Sequence, residues 1–153
     1  MSALLDFYKG LGPSTEGRFI DSMWGMSDLE KERSHTCIQW LFPLPERSMA
    51  HPSAPVLSPE ELAAFRADPH LQTNMLVSLL RMREFFERTP YWTRARDHNH
   101  LRITRIIRCL TLVGLTKEAQ EFHDWVQATA PTCVPARTRW YWREALNEHP
   151  AWL

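Results

Sequence analysis

A row of large apolar side chains between two prolines constrains the fold more than any other feature of the chain. Its members recur every three or four residues: Leu71, Met75, Leu79, Met82 and Phe86. That spacing places them on one face of a long α-helix. Asp68-Pro69 is typical of the start of such a helix and Thr89-Pro90 of its end, because proline disfavours helix in the residue before it. A helix with one apolar face needs partner elements that cover this face.

Helix signals recur along the rest of the chain, and strand signals do not. Ser27-Asp28-Leu29-Glu30 and Ser58-Pro59-Glu60-Glu61 are capping boxes, in which the serine and the glutamate satisfy each other's backbone amides. The predicted helices cover about 2–9, 16–24, 28–41, 58–67, 69–89, 100–113, 116–129 and 136–148, with a proline-rich crossing over 42–57. We therefore expect an all-α fold of seven to eight helices in a single domain, 1–153, with non-bundle, orthogonal packing. A four-helix bundle of the long helices is the alternative.

Charge and cysteine content limit the partners that the chain is expected to have. The 18 basic and 18 acidic side chains cancel, which makes nucleic acid an unlikely partner. No stretch approaches the roughly 20 apolar residues that a membrane span needs. Three cysteines without a C-x-x-C spacing and an N-terminus without a basic leader favour a reducing, cytoplasmic location.

The first of two distinctive motifs is His35-Thr36-Cys37-Ile38-Gln39-Trp40-Leu41-Phe42-Pro43-Leu44, at the end of a predicted helix. On a helical wheel, His35 and Gln39 are four residues apart and lie away from the apolar stripe of the predicted helix, which consists of Leu29, Cys37, Trp40 and Leu41. Two polar side chains on one face are able to hold a peptide backbone, so both are candidate ligand-binding residues. The alternative is a solvated face, or hydrogen bonds that pin the proline crossing to the helix end.

The second motif, His98-Asn99-His100-Leu101-Arg102-Ile103-Thr104-Arg105-Ile106, opens an amphipathic helix. His98 or Asn99 is expected to cap this helix, and both are candidate ligand-binding residues. His98 and His100 also form an H-x-H pair, which offers two nitrogens to a zinc ion. The sequence has no cysteine pair, H-E-x-x-H run or suitably spaced carboxylate cluster to complete such a site. We therefore predict no metal and no cofactor, with a metal protein as the alternative.

Three arginines follow on the same helix, on the face opposite its predicted apolar arc, which consists of Ile103, Ile106, Ile107, Leu110 and Val113. Arg102, Arg105 and Arg108 are three residues apart and predict a cationic ridge. Guanidinium groups bind carboxylates and phosphates in a two-pronged geometry, so the ridge is the preferred place for an anionic ligand. The alternative is a solvated helix face with ordinary ion pairs.

Seven tryptophans are many for 153 residues, and two of them lie in the last predicted helix. Trp140, Tyr141 and Trp142 are consecutive, so they cannot all point the same way on a helix. At least one is expected to face outward, where it would serve a homodimer contact or a ligand groove. The alternative is a terminal helix packed on two sides.

Catalytic patterns are absent from the sequence. There is no G-x-S-x-G elbow or Walker loop, and the chain has five glycines in all. Cys37 falls in a predicted apolar stripe, and Cys109 lies between the apolar and basic arcs of its helix, so neither is expected to be a reactive thiolate. We assign no catalytic residue and favour a non-enzymatic function, with a small enzyme using His98 and His100 as the alternative.

Taken in order, the two motifs resemble the conserved domain of the opioid growth factor receptor family, whose members carry similar IQWLFPL and LRITRI runs. The likeness covers about 19–146, and Thr36-Cys37 departs from the acidic and aromatic residues that family members tend to carry. The chain looks like a short, free-standing version of the kind found in bacteria. The resemblance implies a receptor for an enkephalin-type peptide, which in animals is associated with the nucleus and its membrane, and it supplies no catalytic residue.

Residues and resemblance together predict a non-enzymatic binding module. It would take a peptide or protein segment on a polar, arginine-bearing surface. An RNA-binding domain that uses the arginines and exposed tryptophans is a further alternative, and the neutral net charge argues against it.

Overall fold

The computed structural model describes residues 2–48 and 51–152, and within these ranges it is all-α. The helices are α1 (Ala3–Tyr8), α2 (Ile20–Trp24), α3 (Asp28–Arg33), α4 (Cys37–Leu41), α5 (Pro59–Ala67), α6 (Pro69–Arg88), α7 (Asn99–Leu112), α8 (Thr116–Thr129) and α9 (Ala136–Glu144), with one 3₁₀ turn at Tyr91–Thr93. The described residues contain no β-strand, and Leu44 and Val56 form an isolated bridge. The predicted fold class is confirmed.

The chain divides into two compact units, Met1–Met82 and Arg83–Leu153. The first contains α1 to α5 and most of α6, and the second contains the end of α6 and the helices α7 to α9. The single domain over 1–153 stays a prediction. No helix in the described part of the chain is long and apolar enough to cross a membrane.

A buried tyrosine organises the first unit. The Tyr8 hydroxyl lies 2.6 Å from the Leu41 carbonyl oxygen and 2.8 Å from Ser78 Oγ. Because a phenol has one proton and a carbonyl only accepts, the Ser78 hydroxyl donates to Tyr8. Ser78 Oγ in turn accepts the indole N–H of Trp24 at 3.0 Å. Phe65 packs edge-on against the Tyr8 ring, so this hydrogen-bonded group is enclosed by apolar surface.

The structure breaks the helix predicted over 28–41 into α3 and α4. Both predicted capping boxes are present, and the first one starts α3. The chain leaves the helix at Ser34, whose backbone is extended and whose Oγ accepts from the Cys37 amide at 3.1 Å. A serine side chain that bonds a nearby amide offers the backbone an alternative to helix. As a result Leu29, predicted to share a stripe with Cys37 and Trp40, is 50% exposed, and the described residues hold nine α-helices rather than seven or eight.

The second unit is built around the apolar face of α7. The predicted arc is confirmed, since the side chains of Ile103, Ile106, Ile107, Leu110 and Val113 are fully buried. Helix α7 packs against α8 and α9. The last helix ends at Glu144, earlier than the sequence predicted, and its Arg139 donates to backbone carbonyls at the end of α8.

The cap of α7 differs from the prediction. His98 occupies the cap position but its side chain makes no cap hydrogen bond, and Asn99 is the first helical residue, so neither caps the helix as expected. Asp97 does so instead: its Oδ1 accepts from the Asn99 amide at 2.9 Å. A carboxylate is also favoured there by the positive end of the helix dipole.

Candidate functional site

The two polar residues of the first motif do not share an open face. His35 precedes α4, is exposed, and stacks on His51 with ring centroids 5.0 Å apart. Gln39 lies on α4 and is 5% exposed. The break between α3 and α4 explains the difference, because it removes the helical turn on which the wheel placed His35. Their ligand-binding role stays a prediction.

The arginines of α7 do not form a solvated ridge. Arg102 and Arg108 are 8% and 5% exposed, and Arg105 is partly exposed. Arg102 Nη1 donates to Asn99 Oδ1 and Arg108 Nη1 to the Glu148 carbonyl oxygen, both at 3.3 Å. Two of the three guanidinium groups are thus largely covered and hydrogen-bonded within their own unit. Their role, and that of the fully buried Asn99, toward a ligand stays a prediction.

The histidine pair of the second motif is separated by burial. His98 is exposed, whereas His100 is 7% exposed and its Nε2 lies 2.8 Å from the Trp92 carbonyl oxygen. Since a carbonyl only accepts, Nε2 carries a proton and has no lone pair for a metal. The His100 carbonyl accepts the indole N–H of Trp142 at 3.0 Å. His100 therefore connects α9 to the turn before α7.

The three consecutive aromatics of α9 point in different directions, as their spacing predicted. Trp142 is fully buried, so it belongs to the interior of the second unit and offers no surface to a partner. Trp140 and Tyr141 are partly exposed and pack against Trp152, at centroid distances of 6.3 Å and 5.5 Å. A homodimer contact through this helix stays a prediction that only these two of the three side chains can serve.

A groove of about 330 Å³ lies where the start of α7 meets α9. One wall comes from α7 and includes Leu101, the other comes from the start of α9 and includes Pro135 and Tyr141. Leu101 is 74% exposed, the largest value among the exposed large apolar side chains of the described residues. It is exposed because it lies off the isoleucine arc that α7 buries. The groove therefore presents a contiguous apolar surface to solvent.

Positive charge borders this apolar surface. Arg96 and Arg137 both line the groove and are exposed. Arg137 Nη2 donates to the Tyr141 hydroxyl at 3.3 Å, and this hydrogen bond raises the pKa of the guanidinium. Asp97 also lines the groove, and its Oδ1 accepts a hydrogen bond from the Asn99 amide. With two guanidinium groups and one carboxylate, the rim carries a net positive charge.

The polar groups that line the groove suit binding more than catalysis. The His100 ring donates to a carbonyl, and the Thr104 hydroxyl donates to the His100 carbonyl at 3.1 Å. Outside the groove, Cys109 is fully buried, and burial raises the pKa of its thiol to about 12. A thiol with that pKa stays protonated near neutral pH and is a poor nucleophile.

Two larger concavities have less to distinguish them. One of about 510 Å³ in the second unit includes Trp125, whose ring is covered by the Arg83 guanidinium at 4.8 Å. Another of about 590 Å³ in the first unit includes Lys9, which pairs with Asp68 at 3.7 Å. Neither contains an apolar side chain as exposed as Leu101. We therefore take the α7–α9 groove as the candidate site.

Sequence reasoning found part of this groove and missed the rest. It included Tyr141 among three aromatics of which at least one was expected to face outward, and it placed candidate ligand-binding residues at the start of α7. It did not select Leu101, Pro135 or Arg137. The available signal was Leu101, because a leucine opposite an otherwise complete isoleucine arc has no place in the same core.

The fold and the groove define a helical protein with a cation-rimmed surface groove, and comparisons with known proteins give its family. The model of the opioid growth factor receptor (OGFr) conserved region matches residues 4–89. Over 131 residues the chain is 33% identical to opioid growth factor receptor-like protein 1 of Mus musculus and to that of Rattus norvegicus, covering 72% of this chain and 28% of each relative. The chain belongs to the opioid growth factor receptor conserved-region family, as the two motifs indicated. No solved structure matches it.

The family model and the matches to the relatives differ in whether they include residues of the groove. The family model ends at residue 89, before α7 begins. A segment covering 72% of the chain must include its central part, and with it the start of α7. The chain spans 28% of the length of these relatives, so the activity of the whole relatives is not carried over with the match.

Proposed function

We propose that this chain is a non-enzymatic binding module that takes a peptide or protein segment in the α7–α9 groove. The observation that carries the proposal is the 74% exposure of Leu101 inside a concavity. A single exposed leucine on a convex surface is common and needs no explanation. An exposed leucine in a groove that also contains Pro135 and Tyr141 is a typical anchor position for a partner side chain.

The dimensions favour a segment of chain over a small enclosed ligand. Sites for drug-sized molecules usually have volumes of about 300 to 1,000 Å³ and enclose most of the ligand. At about 330 Å³ the groove is at the small end of that range, and it is lined by exposed residues such as Pro135 and Arg137. It therefore has room for one or two side chains of a longer partner. The relatives are named as receptor-like proteins, which agrees with a binding role.

This placement differs from the polar surface expected from the sequence. Arg102, Arg108 and Gln39 are buried, whereas Arg96 and Arg137 are open to solvent. The proposed surface still carries arginines, but they are Arg96 and Arg137 and not the three arginines of α7.

Selection of peptides from a random library displayed on phage tests the proposal. The bait is the whole chain, and Leu101→Glu is the variant that places a charge on the apolar surface of the groove. We expect the wild-type chain to enrich a set of peptides and Leu101→Glu to lose them, with at least a tenfold loss of affinity measured by fluorescence anisotropy.

Leu80→Glu is the matched control, because Leu80 is 56% exposed on α6 and does not line the groove. It should keep the selected peptides. Circular dichroism and the melting temperature check that both variants remain folded. The proposal is wrong if the library yields no enriched peptide, or if folded Leu101→Glu binds the enriched peptides as tightly as the wild type.

A further inference from the structure

We infer that the groove recognises an acidic side chain placed next to an apolar side chain of the same segment. This inference rests on the proposed function and names the chemistry of the segment that binds. The apolar side chain would lie against Leu101 and Pro135, and the carboxylate would meet the guanidinium groups of Arg96 and Arg137. Two features of the groove, one apolar and one charged, carry it.

The volume of the groove limits the size of the apolar side chain that a partner can place in it. Leu101 of α7, Tyr141 of α9 and Pro135 all line this groove of about 330 Å³. A leucine, methionine or phenylalanine side chain fills a space of this size without a polar group that would need a partner. The neighbouring hydroxyl of Thr104 already donates to a backbone carbonyl, so it adds no unsatisfied donor.

The two arginines of the rim determine which sign of charge the groove favours in a ligand. Arg96 and Arg137 are exposed, and the charge of a guanidinium is present at every accessible pH. The Asp97 carboxylate is held by the Asn99 amide, at the positive end of α7. The rim thus attracts an anion and repels a cation.

The orientation of Arg137 supports a specific contact. Its guanidinium lies 5.8 Å from the centroid of the Tyr141 ring and donates to the Tyr141 hydroxyl. Arg137 therefore has Tyr141 as a partner at the groove. Guanidinium donors left over from the Tyr141 contact suit the two oxygens of a carboxylate.

The proposed segment extends beyond the groove, so an acidic side chain within it is the source of the carboxylate, and synthetic peptides test this source against a free C-terminus. One probe is a fluorescein-labelled peptide with a Leu-Asp-Leu core and an amidated end, and its matched partner carries Asn for Asp. A second pair ends in Leu, as the free acid and as the amide. We expect the Asp peptide to bind about tenfold more tightly than its Asn partner. A preference found only in the second pair would overturn the inference.

Charge reversal in the protein completes the test. Arg137→Glu should remove this tenfold preference and bring Lys and Arg into the sequences selected from a library, while Arg137→Lys should keep part of it. Arg143→Glu is the control, since it makes the same charge change at an exposed position of α9 outside the groove.

The outcomes separate the inference from the proposed function. If peptides bind and Leu101→Glu abolishes binding, but neutral and carboxylate peptides bind equally, the carboxylate inference is overturned and the binding groove stands. If Arg143→Glu has the same effect as Arg137→Glu, the preference reflects the general charge of α9, which also overturns the inference. If folded Leu101→Glu has no effect, the groove itself is wrong.

Discussion

In both units, buried side chains donate hydrogen bonds to backbone carbonyls that lie in apolar surroundings. The Trp92 indole donates to the Phe86 carbonyl at 2.8 Å, and the Trp142 indole donates to that of His100. In the first unit Tyr8 does the same for the Leu41 carbonyl. A buried polar atom that loses its partner is separated from water without a hydrogen bond in exchange. Removing one partner therefore lowers the free energy of unfolding by more than the net contribution of the intact hydrogen bond.

Tyr8→Phe tests this at one residue. The change removes one oxygen and leaves the Leu41 carbonyl and the Ser78 hydroxyl without this shared partner in a buried position. We expect a loss of about 1–3 kcal/mol in the free energy of unfolding, the usual cost of orphaned buried polar groups. Denaturation in urea, followed by circular dichroism, measures it.

Tyr91→Phe is the matched control for Tyr8→Phe. Tyr91 is partly exposed on the 3₁₀ turn, so the same chemical change should alter the free energy of unfolding by less than about 0.5 kcal/mol. Equal effects of the two substitutions would contradict the role assigned to Tyr8.

At the level of helices, the pattern of apolar residues predicted most of what the structure shows. The stripe of α6 and the arc of α7 are buried largely as their spacing indicates, because a 3.6-residue period leaves little choice of face. The capping boxes at Ser27 and Ser58 are present, because their hydrogen bonds are local in sequence. Local rules therefore sufficed wherever the deciding contact lies within one helical turn.

Contacts distant in sequence account for what the pattern did not predict. The break at Ser34 is an exception, because its hydrogen bond to the Cys37 amide is local, but a serine in a helical pattern is compatible with one helix or two. The arginines of α7 were placed on an exposed face because a helical wheel cannot show what covers it. The groove was found only in part, since it requires knowing that α9 lies beside the start of α7.

Arg139 gives a prediction at the scale of a helix end. Its guanidinium donates to the carbonyl oxygens of Gln127, Ala130 and Pro131, at 3.0, 2.8 and 2.8 Å. These groups lie at and just after the end of α8, where carbonyls lack helical partners and favour a cation. We expect Arg139→Ala to lower the free energy of unfolding by about 1–3 kcal/mol.

Hydrogen exchange of the α8 amides, with urea denaturation, measures this effect. Exchange should accelerate most near residues 126–130, because the cap holds that end. Arg143→Ala removes an exposed arginine from the same helix and should leave both measurements nearly unchanged. Unaltered protection in Arg139→Ala would show that the contacts with the carbonyls contribute nothing to α8.

The whole chain combines a neutral net charge with a locally cationic groove. Its 18 basic and 18 acidic side chains cancel, so no overall field draws polyanions to the surface. The α7 arginines that the sequence offered for a phosphate ridge are largely covered at two of three positions. Charge is therefore concentrated at the rim of a groove large enough for one or two side chains, and not spread along a track.

A prediction about nucleic acid follows at this scale. A protein that binds RNA through its backbone contacts several phosphates, and each contact makes the affinity fall with salt. The cationic rim of the groove is formed by two arginines, Arg96 and Arg137. We expect no binding of fluorescein-labelled poly-U RNA tighter than about 100 μM at physiological salt, the weak end of the non-specific range.

Fluorescence anisotropy at low and physiological salt checks this prediction with the same instrument used for the peptides. Weak binding at low salt that disappears at physiological salt agrees with it, because a few arginines on a neutral protein attract any polyanion when screening is low. Micromolar binding that persists at physiological salt and is lost in Arg137→Glu would contradict it. That result would make the groove part of a longer phosphate-binding surface, and a peptide would no longer be its natural occupant.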